Sequence, residues 1–92
     1  MAQIIFITVY TRHGCHLCEE VEAMLNQFAG RFVMNMSLVD IDTQPELVAK
    51  HGERVPVVVI NGKERFFGKV QAALLQRVLQ AEAVRSSGHE TR

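Results

Sequence analysis

The sequence predicts a single α/β domain with a four-stranded mixed sheet and helices on both faces of that sheet. Its 92 residues are enough for one hydrophobic core but not for two. The apolar fraction of 48% and the charged fraction of 22% are ordinary for a soluble globular protein. The hydrophobic patterns follow the order strand, helix, strand, helix, strand, strand, helix. In the first strand–helix–strand unit, the helix crosses over between the two strands, so these are predicted to be parallel and the crossover right-handed.

The first strand and the first helix are predicted from a change of hydrophobic period. Residues 4–10 form an unbroken run of β-branched and aromatic side chains, which is typical of a strand buried on both faces. After a polar loop, the apolar side chains recur at the spacing of one helical face, at Leu17, Val21, Met24, Leu25 and Phe28. Gly30 is predicted to follow the end of this helix.

Two shorter elements are predicted in the middle of the chain. Residues 34–40 alternate between apolar and polar side chains, which indicates a half-exposed strand at a sheet edge. The spacing of Thr43 and Glu46 predicts a capping box at the start of a short helix. Pro45 in the first turn and Gly52 at the end are consistent with these limits.

The last third of the chain is predicted to form a hairpin and a helix. Residues 56–60 form a buried strand that begins with a proline, where this residue is tolerated. Asn61-Gly62 is a strong hairpin signal and leads into a strand over residues 63–67. A last helix is predicted over residues 70–84. We expect the domain to end there and residues 85–92 to form a mobile polar tail.

The charges of the chain cancel overall but not along its length. Ten basic side chains balance ten acidic ones, which argues against nucleic acid or an anionic membrane as a partner. Residues 1–52 carry three Lys or Arg and six Asp or Glu, a formal −3, and residues 53–92 carry seven and four, a formal +3. Two interpretations stay open: a set of solvated surface charges, or a mildly basic rim for an anionic substrate.

The sequence also predicts a cytoplasmic location. No run approaches the roughly 18 apolar residues that span a bilayer, and residues 1–10 lack the basic region and cleavage site of a signal peptide. In a reducing cytoplasm two cysteines seldom form a structural disulfide. The two cysteines are therefore expected to bind metal, to take part in redox chemistry or to be incidental.

The chemistry is predicted to lie at Cys15 and Cys18, a C-x-x-C pair that opens the first helix directly after the first strand. Free backbone N–H groups at a helix N-terminus stabilise an anion, so they favour the thiolate of Cys15. His16 adds positive charge beside it when protonated and is a third candidate catalytic residue. Cys18 lies one turn further on the same side of the helix, where it can resolve a mixed disulfide formed at Cys15.

The sequence also allows other interpretations of its two cysteines. A structural zinc site needs four ligands, and the sequence has no second C-x-x-C and no H-x-x-x-H pair. A non-enzymatic carrier would use Cys15 to bind an iron–sulfur cluster or metal together with ligands from a partner. Two incidental buried cysteines, or an interaction domain that docks through the edge strand or Phe66-Phe67, are further alternatives.

Three motifs connect this arrangement to a known family: Tyr10-Thr11-Arg12-x-x-Cys15-x-x-Cys18, Val55-Pro56 and Ile60-Asn61-Gly62-Lys63. In these motifs, and from about residue 4 to residue 79, the sequence resembles the glutaredoxins and small glutaredoxin-like proteins of the thioredoxin superfamily. The resemblance implies a thioredoxin-like fold with sheet order 2-1-3-4. It also implies a cis peptide before Pro56, next to the dithiol.

The resemblance further implies an activity and a substrate site. It implies a thiol–disulfide oxidoreductase that reduces protein disulfides or glutathione mixed disulfides and receives electrons from glutathione or a thioredoxin reductase. Glutathione is expected as cosubstrate, with no bound cofactor or metal, and the protein is expected to act as a monomer. The residues implied to bind substrate are Arg12, Val55, Pro56, Gly68 and Lys69. The sequence departs from the family at His16-Leu17, which replaces Pro-Tyr, and at residues 66–70, which replace a Gly-Gly-x-Asp stretch.

Overall fold

The helices and strands follow one another in the predicted order. The computed structural model describes residues 4–88 of the chain. Its elements are β1 (Ile5–Thr11), α1 (His16–Phe28), β2 (Met34–Asp40), a short 3₁₀ helix (Ile41–Thr43), α2 (Pro45–His51), β3 (Val57–Ile60), β4 (Lys63–Phe67) and α3 (Ala72–Gly88). No helix within this part of the chain is long and apolar enough to cross a membrane.

The four strands form one mixed sheet in the order β2-β1-β3-β4, as the resemblance implied. β1 and β2 are parallel, and Thr11 at the end of β1 lies opposite Asp40 at the end of β2. β3 runs antiparallel to both β1 and β4. Because β1 and β2 are parallel, both strands end at the same edge of the sheet, and the polar loop that leads to α1 begins there.

The core lies between the sheet and helices α1 and α3. Ile5, Ile7 and Val9 on alternate positions of β1 are almost completely buried. They pack with apolar side chains of α1, β3 and α3, including Val21, Leu25, Phe28, Val58, Ile60, Leu75 and Leu79. The helical spacing from Val21 to Phe28 therefore marks the buried face of α1, as the sequence predicted.

The prediction that β1 is buried on both faces is wrong. Phe6 on the opposite face is 56% exposed. That face is covered near the end of the strand, where the ring of Tyr10 stacks on the ring of His51 from α2 with 4.5 Å between centroids. The seven residues of α2 make about 10 Å of helix, whereas the seven residues of β1 extend about 23 Å. The short helix therefore leaves the start of β1 open.

The capping box predicted at Thr43 is also wrong. The N-cap of α2 is Gln44, which forms no side-chain capping hydrogen bond. Residues 41–43 turn as a 3₁₀ helix, so the Thr43 hydroxyl instead donates to the carbonyl oxygen of Asp40 at 2.8 Å. Pro45 does open α2 and Gly52 follows its last residue, as predicted.

The hairpin matches its prediction, and the last helix differs from its prediction at both ends. Asn61 and Gly62 have φ values of 50° and 84°, the left-handed geometry of a two-residue hairpin turn. α3 begins at Ala72 rather than at residue 70, and it continues to Gly88, beyond the predicted end at residue 84. The mobility predicted for residues 85–92 stays a prediction, and residues 89–92 lie outside the described part of the chain.

Candidate redox site

The site begins where β1 gives way to α1. Gly14 has a φ of 76°, a conformation that glycine adopts without strain, and the Cys15 backbone N–H donates to the Arg12 carbonyl oxygen at 3.3 Å. This tight turn leaves Cys15 in an extended conformation as the N-cap residue of α1. The first cysteine therefore stands at the N-terminus of the helix, as the sequence predicted.

Cys15 and Cys18 form a disulfide, and their Cα atoms are 5.2 Å apart. The backbone N–H of Cys18 donates to the sulfur of Cys15 at 3.1 Å. Cys18 is only 2% exposed, whereas Cys15 is half-buried, and both line a cavity. A donor directed at the Cys15 sulfur stabilises its thiolate after reduction. The geometry therefore gives the two cysteines different environments, one accessible and one enclosed.

His16 is turned towards the surface of α1. Its side chain is 82% exposed, and Nε2 lies 3.1 Å from a carboxylate oxygen of Glu20, one helical turn further on. The charge of a protonated imidazole is therefore shared with Glu20. The catalytic role predicted for His16 stays a prediction.

Arg12 has internal partners rather than a free guanidinium. Nε and Nη2 donate to the carboxylate of Asp42 at 2.9 to 3.2 Å, and Nη1 donates to the Gly52 carbonyl oxygen at 3.0 Å. The hydrogen bond and charge of Asp42 raise the pKa of Arg12 above its ordinary value, and the hydrogen bond from Arg12 lowers the pKa of Asp42. The side chain implied to bind glutathione thus joins the site loop to the end of α2.

The peptide between Val55 and Pro56 is cis, as the resemblance implied. Tyr10 near the end of β1 pairs with Val57. This pairing brings the cis peptide next to the end of β1, where the site loop starts. The backbone N–H and C=O of Val55 form no hydrogen bond with other described residues. They remain available to pair with an extended substrate chain.

Gly68 and Lys69 lie next to this peptide, between β4 and α3. The Gly68 N–H is shared by the carbonyl oxygens of Arg54, at 3.1 Å, and Pro56, at 2.9 Å. Lys69 is 72% exposed, and its Nζ lies 3.7 Å from a carboxylate oxygen of Glu20. Both residues precede α3, which begins at Ala72. Lys69 therefore adds positive charge beside the cis-proline segment but is not part of the N-terminus of α3.

A cavity of about 260 Å³ opens beside the disulfide on the opposite side, towards β2. Besides both cysteines and the loop over residues 11–14, its lining contains Glu19, Glu22 and Asp40. These three carboxylates were not predicted from the sequence to be site residues. Their signal was available in part, because Glu19 and Glu22 are three residues apart on one helix and Asp40 ends the strand predicted to be parallel to β1.

The arrangement as a whole defines a class of protein. Three features make this a thioredoxin-fold protein with a dithiol site. They are the C-x-x-C disulfide at the N-terminus of the first helix, the cis-proline before the neighbouring antiparallel strand and the sheet order 2-1-3-4. Comparison with protein families matches residues 6–80 to the glutaredoxin-like domain (DUF836). The chain belongs to this glutaredoxin-like family of the thioredoxin superfamily.

Individual proteins are similar to most of the chain. The chain is 29% identical over 86 residues to the uncharacterized protein Rv0508 of Mycobacterium tuberculosis, a match that covers 88% of this chain and 84% of that protein. Among solved structures, the protein XcR50 of X. campestris is 32% identical with a TM-score of 0.70, over 82% of this chain and 96% of the other. The protein Ne2328 of Nitrosomonas europaea is 27% identical with a TM-score of 0.74, over 86% and 95%.

A thioredoxin shares the fold at lower sequence similarity. A mutant thioredoxin of Halobacterium salinarum superposes with a TM-score of 0.66 at 18% identity, over 86% of this chain and 74% of the thioredoxin. This likeness extends to the fold alone. The thioredoxin-like architecture predicted from the sequence is confirmed.

Proposed function

We propose that the protein is a dithiol–disulfide oxidoreductase in which Cys15 is the nucleophile and Cys18 the resolving thiol. The observation that carries this proposal is the asymmetry of the pair. Cys15 caps α1 and receives a hydrogen bond on its sulfur from the Cys18 N–H, whereas Cys18 is enclosed by the fold. An accessible, stabilised thiolate is suited to attack, and an enclosed thiol one turn away is suited to intramolecular resolution.

The reaction has two exchange steps. The Cys15 thiolate attacks one sulfur of the substrate disulfide, that S–S bond breaks, and the first substrate thiolate leaves and takes a proton from solvent. Cys18 then loses its proton to solvent and attacks the Cys15 sulfur, which releases the second substrate thiolate. Two electrons pass to the substrate, and the site is left as the Cys15–Cys18 disulfide. A thiol reductant restores the dithiol by the reverse exchange.

The cis-proline segment is proposed to align the substrate. An extended chain paired with the free N–H and C=O of Val55 would run beside the end of β1, where the site loop starts. Backbone pairing of this kind accepts many sequences because it involves no side chain of the substrate. It therefore suits protein disulfides and the glutathionyl group of mixed disulfides equally.

Glutathione is the proposed electron donor, and a thioredoxin reductase is the alternative. The support for glutathione is the family assignment, the free backbone of Val55 and Lys69, which is 72% exposed although its Nζ lies 3.7 Å from a carboxylate oxygen of Glu20. Against it, Arg12 is already paired with Asp42. The proposed setting is the cytoplasm, with the protein acting as a monomer.

Serine variants test the division of labour between the two thiols. Cys15→Ser should abolish disulfide reduction, because no nucleophile remains within reach of the substrate. Cys18→Ser should still attack but stop at a mixed disulfide, which mass spectrometry of the intact protein detects as one added substrate half. Turnover of a peptide disulfide and the mass of the trapped adduct are the two measurements.

The two variants serve as controls for each other, since each changes a single sulfur to oxygen. Stable adducts on Cys15→Ser but not on Cys18→Ser would reverse the assignment. Equal alkylation rates of the two cysteines in the reduced protein near neutral pH would contradict it as well.

A further inference from the structure

The cavity beside the disulfide differs in charge from the rest of the site. All of its lining residues belong to the first half of the chain, and three of them, Glu19, Glu22 and Asp40, are carboxylates. None of these three forms an ion pair with a Lys or Arg among residues 4–88. The other formal charge in the lining, on Arg12, is matched by Asp42. Asp40 also attracts Arg12 electrostatically, but the lining still holds three carboxylates against one guanidinium, so negative charge predominates there.

The dimensions of the cavity limit what it can hold. Its volume of about 260 Å³ is below the roughly 300–1,000 Å³ of pockets that enclose drug-sized ligands. It has room for one long side chain such as that of Lys or Arg. Because both cysteines line it, a substrate sulfur bonded to Cys15 holds the neighbouring residues of its own chain at the cavity mouth.

We infer that this cavity selects protein disulfides in which a Lys or Arg side chain lies next to the half-cystine attacked by Cys15. The inference rests on the proposed disulfide exchange and specifies its substrate class. A cation that enters the cavity gains the attraction of Glu22, which is half-buried, and of Glu19 and Asp40 at the rim. A substrate with Asp or Glu at the same position is repelled by them.

The basic half of the chain does not reverse this preference. No residue from 53 onwards lines the cavity. The basic side chains nearest to the cis-proline segment have acidic partners, because Arg54 pairs with Glu64 and Lys69 approaches Glu20. The basic rim that the sequence allowed for an anionic substrate therefore does not form around the cavity.

Three synthetic peptides test the inference. They carry one cysteine linked by a disulfide to thionitrobenzoate and differ only in the residues that flank it, which are Lys, Gln or Glu. The fully reduced protein is mixed with each peptide, and release of the coloured thionitrobenzoate gives the rate of attack by Cys15. Each rate is divided by that of dithiothreitol with the same peptide, which removes differences in intrinsic reactivity.

The wild-type protein should prefer the Lys peptide to the Glu peptide by about five- to tenfold at low salt, and the preference should fall below about twofold at high salt. In Glu22→Gln/Asp40→Asn the preference should shrink to about twofold at low salt. Asp40→Asn keeps a side-chain acceptor for the Asp42 N–H.

Glu22→Lys alone should favour the Glu peptide. The matched control Glu46→Gln/Glu53→Gln also removes two charges, both outside the cavity lining, and should keep the wild-type preference.

Each outcome decides between the alternatives. An equal change of all three rates in the double variant would show that the carboxylates act on the thiolate rather than on the substrate, and it would overturn the inference. An unchanged preference in Glu22→Lys would overturn it as well. If the wild-type protein releases no thionitrobenzoate from any peptide, the proposed function itself fails. Rapid release without any preference leaves the exchange chemistry intact and refutes only the selectivity.

Discussion

His51 shows how one residue links the fold to pH. It is 4% exposed, stacks on Tyr10, and its Nδ1 is buried without a hydrogen-bond partner among the described residues. Burial is the main cause that lowers the pKa of His51. The positive charges of Lys50 and Arg54 lower this pKa further, and the negative charge of Glu64 raises it. Folding therefore favours the neutral form of this imidazole.

A pH dependence of stability follows from this. In the unfolded chain His51 regains a pKa of about 6.5, so below that pH the unfolded state binds more protons than the folded state. The free energy of unfolding should then fall as the pH falls from about 7.5 to 5.5, by at most about 1.4 kcal/mol per pH unit for one proton.

His51→Phe keeps an aromatic partner for Tyr10 and should remove most of this slope in urea titrations. His13→Gln, at an exposed loop position, is the control and should retain it. A slope that survives in His51→Phe would assign the effect to other groups.

At the scale of elements, the Arg12–Asp42 pair connects three segments that are distant in sequence. Through Asp42 and the Gly52 carbonyl, Arg12 joins the site loop to the 3₁₀ helix and to the end of α2. We expect Arg12→Gln and Asp42→Asn each to lower the urea midpoint of unfolding, by less than the core truncation Leu25→Ala. Because each removes the same contact, the double variant should lose less than the sum of the two.

Hydrogen exchange gives the local side of this prediction. The amides of α2 should exchange faster in both single variants, whereas those of α3 should be unaffected, since no hydrogen bond among the described side chains joins α3 to this pair. The contribution of Asp42, whose pKa is lowered in the folded state, should be present above pH 4 or so and be lost as the pH falls further. Additive losses in the double variant would show that the pair does not act as a unit.

The same elements show what sequence patterns can predict. Hydrophobic period was enough for α1, because burial of one face leaves a local pattern at Val21, Leu25 and Phe28. The apolar run over residues 4–10 predicted β1 but not its open face, because the length of the helix that covers that face is not written in the strand. The prediction of Thr43 as an N-cap was wrong because residues 41–43 turn in a 3₁₀ helix after β2. The sequence of these residues allows both conformations. The internal partner of Arg12 and the place of Asp40 in the cavity depend on β2 lying beside β1, unlike Glu19 and Glu22, which share one helix. Spacing along the chain does not encode such contacts, whereas the C-x-x-C pair is local and was identified from its position alone.

At the scale of the whole molecule, charge is distributed so that the two sides of the dithiol differ. The cavity side carries Glu19, Glu22 and Asp40, and the cis-proline side carries the exposed Lys69. Glutathione has two carboxylates and one ammonium group, so its net charge is negative. It should therefore avoid the cavity and approach along Val55 towards Lys69, while a protein substrate can in addition place a basic side chain in the cavity.

The electron donor can be tested on this basis. The protein is oxidised to its disulfide, and its reduction is followed with glutathione and glutathione reductase, and separately with thioredoxin reductase and NADPH. If glutathione is the donor, Lys69→Gln should slow the first reaction about two- to fivefold, as expected for loss of one exposed ionic contact. Lys63→Gln, in the hairpin strand β4, is the matched control and should have no effect. Reduction by thioredoxin reductase should be insensitive to both variants. Rapid reduction by thioredoxin reductase, with none by glutathione, would reject glutathione as the donor and leave the dithiol mechanism unchanged.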